Sequence, residues 1–161
     1  MDETAWAVLL AAQGGTMAVS DESHQSGLLH HVEIYCADLK VTTEFWGWFL
    51  ELLGYSVYQA WPGGQSYRLG PTYLVFVQAE QRFCHEPYHR CRPGLNHLAF
   101  HAASRQQVDE VTELLRSRGV RILYEDRHPY AGGPGCYAVY FEDPDRMKVE
   151  LDAPDQVTLA V

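Results

Sequence analysis

The sequence has no Cys-x-x-Cys pair, no long apolar run and few cations, and each lack removes a class of function. The four cysteines, Cys36, Cys84, Cys91 and Cys136, match neither a zinc spacing nor a thiol redox motif, so they are read as reduced cytoplasmic thiols. Lys and Arg number 12 against 21 Asp and Glu, a formal charge of -9, and the cations are scattered. A phosphate-backbone partner needs them clustered, so nucleic acid is excluded. The apolar run Ala5 to Ala12 falls far short of the ~20 residues that span a bilayer. It follows Asp2 and Glu3 rather than a basic segment, which argues against a secretory signal. A cytoplasmic protein with no membrane partner is expected.

What is present is a repeat. In Asn96-His97-Leu98-Ala99-Phe100, apolar residues alternate as in a half-buried strand, with His97, Ala99 and His101 on one face and Leu98 and Phe100 on the other. Leu29-His30-His31-Val32-Glu33-Ile34-Tyr35 repeats the pattern 66 positions earlier, matching His31 to His97. Each copy runs through a helix-like segment to a glycine, Gly54 or Gly119, and then into β-rich sequence.

At 161 residues, 47% hydrophobic and 20% charged, the chain has the composition of one soluble domain with its own core. Residues 1–27 are expected to be a flexible leader, 28–154 the domain, in modules 28–80 and 94–154, and 155–161 a tail. In the first module Asp38 caps a helix from Lys40 to Leu53, with Val41, Phe45, Trp48, Phe49 and Leu52 as its apolar stripe. Strand patterns follow at Tyr55–Ala60, Ser66–Leu69 and Tyr73–Gln78. In the second, Ser104 opens a helix with Gln107 in capping-box position, and strands are expected at Val120–Tyr124, Cys136–Phe141 and Met147–Asp152. Each module reads as βαβββ, an α+β class. A lone module leaves one sheet face bare, so two curved sheets are expected to enclose a shared cleft. Period-2 logic then turns His31, Glu33, His97 and His101 toward that cleft.

The strand His31-Val32-x-Ile34 with Asp38, the stretch Asn96 to Phe100, and the run Tyr140-Phe141-Glu142-Asp143-Pro144-Asp145-Arg146-Met147-Lys148-Val149-Glu150-Leu151 together resemble the vicinal oxygen chelate superfamily. That group includes glyoxalase I, fosfomycin-resistance enzymes, extradiol dioxygenases and bleomycin-resistance proteins. The resemblance covers roughly Leu28 to Pro154 and implies metal ligands at His31, His97 and Glu150. Two imidazoles and a carboxylate leave positions open for a bidentate oxygen ligand on a divalent ion (Mn, Fe, Ni, Zn or Mg). Glyoxalase I takes a further carboxylate from the first module's last strand. Aligning Val77-Gln78 with Leu151-Asp152 puts Phe76 there, so the four-ligand glyoxalase I site is not reproduced. No arginine follows Glu150 to hold a phosphonate, and extradiol dioxygenases usually have four modules where this chain has two.

Glu33 is the nearest acid for proton transfer. Phe76, His101 and Tyr130 are candidates for touching substrate, the last from the glycine-rich loop His128 to Gly135; His89 lies within reach in the linker. Two function classes follow: a metal-dependent enzyme acting on a small oxygen-chelating substrate, or a binder that sequesters a small molecule as bleomycin-resistance proteins do. The triad favours the enzyme. Open sheet edges and the aromatic first helix (Phe45, Trp46, Trp48, Phe49) point to a homodimer; the resemblance implies that modules pair between chains, which would bring His31 of one subunit to His97 and Glu150 of the other.

Overall fold

The structure, a computed structural model, describes residues 26–154; the expectations for residues 1–25 and for the tail lie outside the described residues. Among the described residues, eight strands and two α-helices follow the expected order. Strand β1 (His31–Cys36) leads to helix α1 (Leu39–Leu52) and to β2 (Ser56–Trp61), β3 (Gly64–Leu69) and β4 (Thr72–Gln78). A single 3-10 turn at Gln81–Phe83 interrupts the linker. The second copy comprises β5 (His97–His101), α2 (Arg105–Ser117), β6 (Ile122–Leu123), β7 (Ala138–Glu142) and β8 (Lys148–Asp152). The sheets are ordered β1-β4-β3-β2 and β5-β8-β7-β6, the same topology twice, and no described helix is long and apolar enough to cross a membrane.

Local chemistry sets the element ends. Asp38 accepts from the Val41 amide and Ser104 from the Gln107 amide, each satisfying an orphan N–H of the first turn. The Gln107 side chain reaches back to the Ala103 amide at 2.6 Å. Gly54 and Gly119 close the helices at φ +85° and +68°, a conformation that costs a side-chain-bearing residue energy.

The buried face of α1 is turned from the expected stripe. Thr42, Phe45, Trp46, Phe49 and Leu50 are buried, whereas Val41 and Leu52 are exposed. The reason is that α1 serves two sheets. The Trp46 ring stands 5.0 Å from Phe76 of the first sheet and 6.1 Å from Phe100 of the second, and Phe49 stands 5.1 Å from Phe141. Val108 and Leu115 of α2 join the same core, with Val139, Val149 and Leu151. Both helices therefore lie between the sheets. The opposite faces, with His31 and Glu33 on one sheet and His97 and Glu150 on the other, look away from each other within one chain.

Candidate metal centre

The second sheet builds a polar site from three neighbouring strands. On its outer face, β8 carries Lys148, Glu150 and Asp152; its register sets Glu150 opposite Tyr140 on β7 and Lys148 opposite His97 on β5. His97 Nε2 lies 2.9 Å from Glu150 Oε2. On its other side, His97 Nδ1 is 2.8 Å from Asn96 Oδ1, and Asn96 Nδ2 donates to the Arg90 carbonyl at 3.0 Å. That second bond fixes the amide, because only its NH2 can donate. Asn96 Oδ1 is thus the acceptor and His97 Nδ1 carries the hydrogen.

A neutral imidazole held this way turns the Nε2 lone pair toward the Glu150 carboxylate. Two acceptors 2.9 Å apart repel unless a proton or a cation lies between them. Two ligands at about 2.0–2.2 Å from one divalent ion, set at right angles, also stand ~3 Å apart. The donor set fits a borderline divalent metal, and Asn96 supplies the support from behind that orients a metal-binding histidine.

Glu150 is held from its far oxygen as well. Tyr140 donates to Oε1 at 2.8 Å; burial, then the contacts with Cys136 and Glu150, push its hydroxyl far above the ordinary tyrosine range, so it remains a donor. Cys136 Sγ lies 3.6 Å from the Tyr140 hydroxyl and 3.5 Å from Asp152 Oδ1, and burial is the main cause raising its pKa. The ligand atoms of Cys136, Glu150 and Asp152 all lie within 4.8 Å of one another. Among the described residues all four cysteines are free thiols.

The structure brings His97 and Glu150 together and leaves His31 on the first sheet. His31 stacks on Tyr73 with centroids 4.8 Å apart, and its Nδ1 lies 2.9 Å from that of His30. Glu33 is exposed on the same outer face and borders a cavity of about 490 Å³ with Tyr35, Tyr88, His89 and Arg92. His101 is exposed two residues beyond Ala99 on the His97 face. Tyr130 is half exposed and meets Tyr137 edge-on at 5.5 Å; Tyr137 in turn donates to Asp109 on α2, so this ring leans toward the helix side.

Phe76 does not reach the outer face of the sheet. It is fully buried against Trp46 and Tyr67. The register His31 to Tyr73 and His97 to Lys148 makes Val75, not Phe76, the counterpart of Glu150. The sequence alignment was one residue out, and in a strand one residue exchanges the faces. Valine binds metal no better than phenylalanine, so the missing fourth carboxylate stands. Asn96 and Tyr140 stand in the same motifs without an assigned role, since only the folded side chains show that they hold His97 and Glu150.

A βαβββ unit repeated in one chain, with a histidine on the first strand of each copy and a glutamate on the last strand of the second, is the architecture of the vicinal oxygen chelate fold. The chain belongs to the glyoxalase/bleomycin resistance protein/dioxygenase superfamily, whose sequence profile matches residues 30–141. A Bacillus subtilis protein of uncharacterised function, YqjT, is 59% identical over 126 residues, covering 78% of this chain and 98% of that protein. The crystal structure of a candidate glyoxalase from Bacillus halodurans is 60% identical with a TM-score of 0.80, covering 81% of this chain and 98% of that one. More distant structures share the fold: FosX, a fosfomycin resistance protein of Listeria monocytogenes (22% identity, TM-score 0.58, covering 80% and 94%), and lactoylglutathione lyase of Agrobacterium tumefaciens (20%, 0.55, covering 79% and 93%).

Proposed function

We propose that the protein is a metal-dependent enzyme whose divalent ion is held by His97 and Glu150 of one chain and by His31 of the partner subunit, and whose substrate is a small molecule with two adjacent oxygens. The observation that carries this reading is the 2.9 Å approach of His97 Nε2 to Glu150 Oε2 with Asn96 fixing the imidazole hydrogen on the far nitrogen. Such a pair is built to hold a positive charge. The two outer faces point apart because α1 fills the space between the sheets, so a second copy is needed to set the His31 face opposite the His97 face. The superfamily's frequent dimers and the exposed apolar side chains Tyr35, Val57, Tyr58 and Trp61 on the first module support that pairing.

When bound, the ion supplies Lewis acidity at a substrate oxygen. His97 and Glu150 orient the ligand positions, and Tyr140 keeps Glu150 from turning. Glu33, exposed and without an arginine partner within ion-pair distance among the described residues, is the base or acid that moves a proton on the facing side of the cleft.

Metal content and subunit mixing test the reading together. Protein purified without chelator should hold one divalent ion per chain, and His31→Ala and Glu150→Ala should each lose it. Refolding the two variants together should restore one complete site in each mixed dimer. Failure of the mixture to regain metal rejects the shared site; a metal-free wild type that also takes up none on titration rejects the enzyme in favour of a binder.

A further inference from the structure

The outer face of the second sheet carries an uneven distribution of charge. Glu142 stands opposite Lys148 across β7 and β8, one pair along from Tyr140 and Glu150. Its carboxylate is almost fully buried and meets three guanidinium groups: Arg90 Nη1 at 2.6 Å, Arg146 Nε at 3.5 Å and Arg121 Nη1 at 3.6 Å. A fourth cation stands on the same sheet face without pairing with it.

Lys148 is that fourth cation. Its register partner on the other side is His97, and its Nζ lies 5.7 Å from the centre of the Tyr140 ring, whose hydroxyl holds Glu150. Among the described residues no carboxylate comes within ion-pair distance of it. Asp152, the other acid of the strand face, lies beyond Glu150 on the side away from Lys148. Three of the chain's 12 Lys and Arg thus gather around one carboxylate in a protein of net charge -9, and Lys148 stands beside them on the sheet without joining an ion pair. Lys148 is half-buried as a residue and has no carboxylate partner, and a compact ammonium beside a guanidinium cluster attracts and holds oxyanions.

We infer that Lys148 is the anion-holding residue of the candidate site, and that the substrate carries a carboxylate or phosphate group which Lys148 engages while its other oxygens reach His97 and Glu150. This inference rests on the metal-centre reading for its second half alone. The arginines around Glu142 raise the local potential and steer the anion inward, and Lys148 makes the contact.

Inorganic phosphate is the probe, titrated into the metal-free full-length protein at low ionic strength and followed by 31P line broadening, then again with Mn2+ present. Lys148→Met keeps the apolar stem and removes the charge, and should weaken phosphate binding at least about tenfold. Lys148→Arg should retain most of it. Lys40→Met, at an exposed position on α1, should leave it unchanged, and circular dichroism confirms that each variant is folded. Equal binding by wild type and Lys148→Met, an equal loss in Lys40→Met, or no phosphate binding by wild type with or without Mn2+ overturns the inference. Binding that needs Lys148 but does not tighten with Mn2+ upholds the anion subsite and counts against the metal centre instead.

Discussion

Asn96 is the residue whose replacement best separates a metal site from a chance pairing of His97 with Glu150. Asn96→Ala removes one side chain with two bonds, 2.8 Å to His97 Nδ1 and 3.0 Å to the Arg90 carbonyl. Support of this kind behind a ligand histidine contributes roughly 10- to 100-fold in metal affinity, or about 1.4–2.7 kcal/mol at 1.36 kcal/mol per decade. The His97 side chain is 33% exposed, so water can replace the lost acceptor, and the expected loss lies near the lower end, about tenfold. Isothermal titration with Zn2+ or Mn2+ measures it, with the melting temperature as a control. Asn96→Asp, which retains an acceptor toward Nδ1, should bind metal at least as well as wild type. Unchanged affinity in Asn96→Ala would refute the argument that the amide sets the tautomer; so would an equal loss in Asn96→Asp.

Two further outcomes follow from the core. Burial is the main cause that raises Asp143 to about 6, although it accepts from the Met147 amide and from Trp46 Nε1. A folded-state value above the unfolded 3.8 means that this group's stabilising effect is complete below about pH 4 and is lost as pH rises through 6. Urea titrations should therefore show Asp143→Asn gaining on wild type by up to roughly 3 kcal/mol between pH 4 and 7; a pH-independent difference would contradict the burial argument. Trp46, fully buried between Phe76 and Phe100, belongs to both modules, so Trp46→Ala should cost about 3–5 kcal/mol in one transition seen alike by near- and far-ultraviolet circular dichroism. Two separate transitions would show that the modules do not share a core.

Much of this protein is legible in the chain alone, because the repeat is written in local chemistry. Asp38 and Ser104 as caps, Gly54 and Gly119 as stops, and the period-2 alternation around His31 and His97 depend only on neighbours in sequence. The pairing of His97 with Glu150 could be anticipated from the family resemblance and then from strand faces. What the chain could not fix was register and the relation between the modules. Phe76 and Val75 differ by one position in sequence and by a whole sheet face in space, and only the hydrogen-bonded alignment of β1 with β4 decides between them. The rotation of α1 that buries Trp46 rather than Val41 depends on a second sheet packing against a helix that carries apolar residues on more than one side. Asn96 holds its own neighbour His97 and a carbonyl six residues back, Tyr140 reaches Glu150 across a strand pair, and Lys148 meets His97 only through the pairing of β5 with β8, contacts that depend on side-chain direction and register rather than on a local pattern.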